Sequence, residues 1–218
     1  MLIKYLEVLF YPVIYIIDYT GQTPFCMIDN TFKLLIERVY PLTDDEMSAL
    51  QNMFTSKKVD KNGFVLKEGE HTQSLFFIKS GIFRGYYVKD IDEITFNFFF
   101  GPTFYADTAG ILEGNPTLQN ICALEAGDIW EANIREVEAL GDKYPAILKL
   151  FIRFYEMIFA HNQKRQLSFI YESAEERYLN LFNLRPRVVS EIPLIYIASY
   201  LGIKPESLSR IRRKIASH

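Results

Sequence analysis

"IPLIYIASYLGIKPESLSRIRRKI", Ile192 to Ile215, carries three arginines and two lysines against one acid, in a chain of 218 residues with a formal net charge of −3. Pro193 is suited to open a helix that continues to Leu201. Ile197, Ala198 and Leu201 share one side of it, and Ala198 is small where a second helix has to come close. Gly202 supplies a residue that accepts a left-handed backbone, so the chain can turn there. Pro205 fits the first position of the next helix. In that helix Leu208, Ile211 and Ile215 fall at i, i+3 and i+7, which predicts a buried face. Glu206, Ser207, Arg210 and Lys214 then lie on the opposite, exposed face, flanked by Ser209, Arg212 and Arg213. Two short helices around a glycine turn, the second apolar inside and basic outside, predict a helix-turn-helix.

The charge distribution is a separate signal. Five bases and one acid lie between Ile192 and His218, whereas the rest of the chain holds nineteen bases and twenty-six acids. A basic module on an acidic body fits an anionic partner. On charge alone, a solvated helix end is an equal reading, because the helix dipole favours cations there. Helix spacing and charge together favour double-stranded DNA. Arginine can bond guanine bidentately in the major groove, glutamate can accept from the cytosine amino group, and neighbouring bases and hydroxyls can hold phosphates.

Upstream of this module the pattern changes twice. Phe32 to Tyr40 reads as a helix stopped by Pro41. Leu42 to Phe54 reads as a second one, opened by a capping box of Thr43 and Glu46, with Leu42, Met47, Leu50 and Phe54 as its apolar stripe. Seven of the eleven glycines then fall between Gly63 and Gly114. Short apolar runs separate them, and Lys89 to Glu93 reads as a hairpin turn. Many short strands with glycine turns predict a jelly-roll-like β-barrel over roughly Val59 to Ile134. Pro145 opens a long helix that reaches Tyr171, about 40 Å at the usual rise. Ile147, Leu150, Phe151, Phe154, Met157 and Ile158 recur along it, with Leu148, Ile152, Tyr155 and Phe159 between them. A helix apolar on more than one side is buried on more than one side. One side covers the barrel, and the same helix of a second copy is the economical cover for the other. A central core helix of a monomer is the competing reading. Ser173 and Glu176 form another capping box, opening a helix that Arg185-Pro186 ends before a short connection to the terminal segment.

The fold class is therefore α+β: N-terminal helices, a jelly-roll-like barrel, a long dimerisation helix and a C-terminal helix-turn-helix. Residues 31–144 form the barrel domain with flanking helices, 145–172 the long helix and 173–218 the DNA-binding domain. Residues 1–30 are an extension of open character. Val8 to Ile17 is apolar but only ten residues long, too short to span a bilayer. The extension is a poorly ordered tail, an element packed on the body, or sequence upstream of a start at Met27.

This order of elements resembles the Crp/Fnr family of bacterial transcription regulators, over roughly Phe32 to Ile215. The terminal motif matches without a gap, and "SAEERY" resembles the same group. The resemblance implies a barrel like a cyclic-nucleotide-binding domain, a winged-helix-type DNA-binding domain and a homodimer joined through the long helix, with Phe151, Phe154 and Ile158 at its interface. It also implies a two-fold-related DNA site, with RNA polymerase as a further partner. Glu206 and Arg210 match the family's base-reading glutamate and arginine. Pro205 replaces another base-reading arginine, and Lys204 a capping residue.

The effector cassette departs from the family pattern. Ala106-Asp107 stand at its Gly-Glu pair and Thr117-Leu118 at its Arg-Ser/Thr pair. No base occurs from Gly101 to Asn133, and a desolvated phosphate wants a cationic partner, usually Arg. The expectation is a degenerate pocket that holds no cyclic nucleotide, with an unknown effector or none. Asp107 is left to cap a short helix.

Cys26 and Cys122 stand alone, and His71, His161 and His218 are scattered, so no cofactor, iron–sulfur cluster or metal site is expected. Cysteine usage fits a reducing cytoplasm without membrane association. An enzyme of the cupin sort would need several histidines converging in the barrel, and only His71 lies near it; no catalytic residues are expected. The second rival is a protein-interaction module with this fold and neither ligand nor DNA activity.

Overall fold

The computed structural model describes residues 30–216. The N-terminal extension, and with it the question of Met27, lies outside the described residues. Two short helices come first, α1 (Thr31–Val39) and α2 (Asp44–Gln51). The expected capping box opens α2: Thr43 N–H donates to Glu46 Oε2 at 2.8 Å, and Glu46 N–H donates to Thr43 Oγ1 at 3.4 Å.

Eight strands follow, and they pair into two four-stranded antiparallel sheets. β1 (Thr55–Val59), β8 (Gly127–Asn133), β3 (Ser74–Ile78) and β6 (Thr103–Tyr105) make the first, in that order. β2 (Phe64–Leu66), β7 (Gln119–Glu125), β4 (Ile82–Lys89) and β5 (Asp92–Phe100) make the second. The β4–β5 hairpin turns at Asp90 and Ile91, inside the predicted segment. Asp90 takes the left-handed region at φ 58, which a short polar side chain tolerates.

Alternation along the strands sorts residues into inner and outer layers. Phe76, Ile78, Phe83, Phe99, Ile121 and Ile129 fill the barrel between the sheets. Leu75 and Phe77, their neighbours on β3, face outward beneath the helices. The two sheets meet closely at Gly81 and Gly127: a Cβ on Gly127 would lie 2.2 Å from Ser80 O, so only glycine fits.

One helical turn and a bit, α3 (Thr108–Glu113), sits in the connection between β6 and β7. α4 (Ile134–Lys143) then leads to α5 (Pro145–Tyr171), the long helix, at the expected bounds. Ile147, Leu150 and Phe154 of α5 pack with Phe32, Leu35 and Leu50 on the outer face of the first sheet.

The last four helices are α6 (Ala174–Leu184), α7 (Pro186–Glu191), α8 (Leu194–Leu201) and α9 (Pro205–Ala216). One expectation needs correction here. Arg185-Pro186 ends α6 but does not begin a plain connection, because Pro186 occupies the first turn of α7. No strand follows β8 among the described residues, and α7 stands in the connection. The C-terminal helices also do not form a separate core. Ile82 and Phe98 of the second sheet share one cluster with Tyr178, Leu181, Val188, Ile197, Leu201 and Leu208.

Candidate nucleic-acid interface and effector cassette

The turn between α8 and α9 is built as the sequence predicts. Gly202 has φ 69. Its N–H donates to Ser199 O at 3.1 Å, and Ile203 N–H donates to Ala198 O at 3.0 Å, closing the end of α8. Ile197 and Ala198 are fully buried, and Leu208 of α9 is buried beneath them, with Ile211 and Ile215 half-buried at the same cluster. Burial of that stripe fixes which side of α9 looks outward.

Glu206, Arg210, Arg213 and Lys214 are exposed, whereas Ser207, Ser209 and Arg212 are half-buried. The structure thus brings the predicted set together on one helix surface. Ser209 Oγ donates to Pro205 O at 3.0 Å, and Arg213 Nε donates to Ser209 O at 3.4 Å. Lys214 Nζ pairs with Glu175 Oε2 of α6 at 2.7 Å, an exposed pair that a phosphate oxygen could replace at small cost.

The cassette is closed on itself. Asp107 is only 2% exposed. It caps α3 as expected, with Oδ1 accepting from Gly110 N–H at 3.3 Å and from Gln119 Nε2 at 2.9 Å. Tyr105 O–H donates to Gln119 Oε1 at 2.5 Å. Burial, and then the charge of Asp107, hold the Tyr105 phenol well above its ordinary range, so it stays a donor. The Asp107 carboxylate therefore occupies the Gly110 amide in the first turn of α3, and the Gln119 side chain braces that carboxylate. Ala106 is half-buried beside them. Thr117 is buried and bonded through its backbone to Gly69 and Glu70, whereas Leu118 is 69% exposed. Arg135 is the base near α3, and it reaches Ile111 O at 3.4 Å, away from the helix start. Among the described residues no group of three or more His, Cys, Asp or Glu could hold a metal ion.

The three residues expected at a dimer interface on α5 differ in burial. Phe154, 8% exposed, packs edge-on to Phe104 inside the chain's own core. Phe151 and Ile158 line a cleft with Phe154, Leu35, Phe104 and Ala106. The interleaved residues are open, with Leu148 and Tyr155 partly exposed, Ile152 at 56% and Phe159 at 67%, and Ile158 beside them is nearly as exposed as Tyr155. Leu148, Ile152, Tyr155 and Phe159 are spaced by four, three and four residues, a heptad seam.

Sequence reasoning missed the arginines at the junction between barrel and C-terminal helices. Arg185 Nη1 donates to Asn97 Oδ1 at 3.0 Å, and Nη2 to Phe98 O at 2.5 Å. Arg165 on α5 donates to Tyr200 O at 2.9 Å and stacks on that ring at 3.8 Å. A single arginine inside the apolar run "IFRGYYV", Arg84, was the visible sign of this layer.

A model of the cyclic nucleotide-binding domain matches residues 56–144. The regulatory protein HlyX of Actinobacillus pleuropneumoniae is 26% identical over 190 residues, 79% of this chain and 76% of that protein. The anaerobic regulatory protein of Aggregatibacter actinomycetemcomitans is 25% identical, covering 79% and 71%. These matches agree with the resemblance to the Crp/Fnr family read from the sequence. The structure of FixK2 from Bradyrhizobium japonicum has the same fold, with a TM-score of 0.62 at 17% identity, covering 75% of this chain and 85% of that one. Both relatives align over more of the chain than the matched domain does. Among the described residues no helix is long and apolar enough to cross a membrane.

Proposed function

We propose that this protein is a homodimeric transcription regulator of the Crp/Fnr type that reads double-stranded DNA with α9 and does not respond to cyclic nucleotides. The observation that carries the DNA reading is the exposed row Glu206, Arg210 and Arg213 on a helix whose opposite side is pinned by Leu208. Glu206 and Arg210 serve the base edges, and Ser207, Ser209, Arg212, Arg213 and Lys214 hold phosphates or position the helix. The similarity to two regulatory proteins supports this reading. The seam Leu148, Ile152, Tyr155 and Phe159 supports a partner helix of a second copy, which would set two α9 helices against two half-sites. The filled start of α3 supports insensitivity to cyclic nucleotides. A cyclic phosphate would have to displace Asp107 and would meet no counter-charge there. This reading divides the chain by function at residues 31, 145 and 173, although the barrel and the last module share a core. RNA polymerase remains the partner such a regulator would address.

A gel-shift titration on fragments of the protein's own promoter region, run at several salt concentrations with and without cyclic AMP, tests the reading. Affinity is expected to fall steeply and linearly in log salt, since each neutralised phosphate releases counterions. Cyclic AMP is expected to leave the curve unchanged. Absence of any salt-dependent shift would favour an interaction module, and a cyclic-AMP-dependent shift would overturn the cassette reading.

A further inference from the structure

The outer face of the second sheet holds a buried cation that neither the cassette nor the recognition face uses. Arg84 on β4 is 3% exposed. Its Nε donates to Thr95 Oγ1 at 2.9 Å, and its Nη1 pairs with Glu93. The guanidinium lies 4.4 Å from the ring centre of Tyr86 below and 3.9 Å from that of Tyr196 above. Tyr196 belongs to α8. One turn further along α8, Ser199 Oγ donates to Glu93 O at 2.9 Å and accepts from Thr95 N–H at 2.9 Å. Glu93 and Thr95 of β5 thus hold Arg84 and Ser199 at once.

An apolar side chain would hold α8 on the sheet at least as well as a buried ion pair, whose desolvation offsets much of its attraction. What a guanidinium adds is direction. It is planar, so stacking between two rings fixes its tilt, and its N–H groups fix its rotation. Ser199 supplies a second fixed point on the same helix. Two points define the angle of α8 on the sheet. α9 follows α8 rigidly through the Gly202 turn and the burial of Leu208.

We infer that Arg84, together with Glu93 and Ser199, is a positioning group for DNA reading: the barrel uses it to set the angle at which the recognition helix is presented. The inference rests on the DNA-binding reading above. Two recognition helices must meet half-sites about 34 Å apart or multiples of that, so a module free to rock on its sheet meets them less often. Without this latch the C-terminal helices keep their shared core, but α8 rocks about it.

Three variants test this: Ser199→Ala, Arg84→Met, and Tyr196→Phe, which keeps the stacking ring. The first readout needs no DNA. Nitroxide labels are placed at positions 61 and 204 by unnatural amino acids, and labelled chains are diluted with unlabelled ones. Pulsed dipolar spectroscopy then reads the distance within one chain. The wild type and Tyr196→Phe are expected to give one narrow distribution, and Ser199→Ala and Arg84→Met broad ones. The second readout uses an operator selected by the wild type from random duplexes, and the same operator with its half-sites moved apart by two base pairs. Loss of the latch is expected to weaken operator binding about tenfold, the worth of one or two hydrogen bonds, while flattening the dependence on spacing. A merely structural role would weaken both duplexes alike. Unchanged distance distributions in both Ser199→Ala and Arg84→Met would overturn the inference. If Arg84→Met fails to fold, Ser199→Ala decides alone. If no operator can be selected, the DNA-binding reading fails, and the distances still report whether the latch holds the helix.

Discussion

His161 lies on the polar half of α5, facing a layer of cations. Burial first, and then the charges of Arg185, Arg165 and Lys164, push its imidazole from 6.5 down to about 4. The folded chain therefore keeps it neutral where the unfolded chain would protonate. As pH falls below about 6.5 the unfolded state takes up a proton that the folded state refuses, so stability drops until the folded group titrates near 4. The loss across that window is up to about 3 kcal/mol. Urea unfolding at pH 7 and pH 4.5 is expected to show this decrement in the wild type and to lack it in His161→Gln; equal decrements would rule out His161 as its source. The burial of His161 was not legible from the sequence, and Arg84 showed only as a lone charge in an apolar run, because the α8 ring of Tyr196 that covers it lies more than a hundred residues further along. Asp107 was legible, since a cap needs only its own next turn. The Gln119–Tyr105 clasp around it was not, since it joins two strands.

Local elements were the easiest to read. Both capping boxes form as expected, and in the second the backbone hydrogen bond from Ser173 holds the Glu176 carboxyl below its ordinary range. Helix periodicity gave α5 its bounds, yet it could not say which of two apolar faces the barrel takes. That choice depends on Phe104 and Phe32 across the gap, and it put Phe154 inside. The link after α6 has a similar cause: Pro186 forbids α6 to continue but fits the first turn of another helix. At Gly202 the sequence and the structure agree, and the cost of a side chain can be stated. The residue has φ 69, and a Cβ would lie 3.0 Å from the Phe169 ring. Gly202→Ala is expected to destabilise by about 1–2 kcal/mol through the left-handed backbone alone. Gly69→Ala, at φ 88 with nothing within 4 Å, is the control for that strain. Thermal unfolding of both variants should show a larger loss at Gly202, and an equal loss would mean that Phe169 yields freely.

At the scale of the molecule, the C-terminal helices pack on their own barrel, and α5 leaves an apolar seam open. Order of elements and alternation along strands made the barrel readable in advance, but the shared core between barrel and last module involves residues about a hundred positions apart. The seam leads to a direct expectation. Phe159→Glu places a charge in the most exposed position of the apolar stripe, and analytical ultracentrifugation should find a monomer at concentrations where the wild type is a dimer. A wild type that is monomeric throughout would remove the seam from the account.

The central claim is that α9, presented twice, reads DNA by its exposed row. Selection from a random duplex library by the purified wild type, repeated with Arg210→Ala, tests it most directly. The account predicts a two-fold symmetric site for the wild type. For the variant it predicts the same site with one base pair per half-site relaxed, a loss of about 1–3 kcal/mol at that position. No enriched sequence, or a site unchanged by Arg210→Ala, would contradict it.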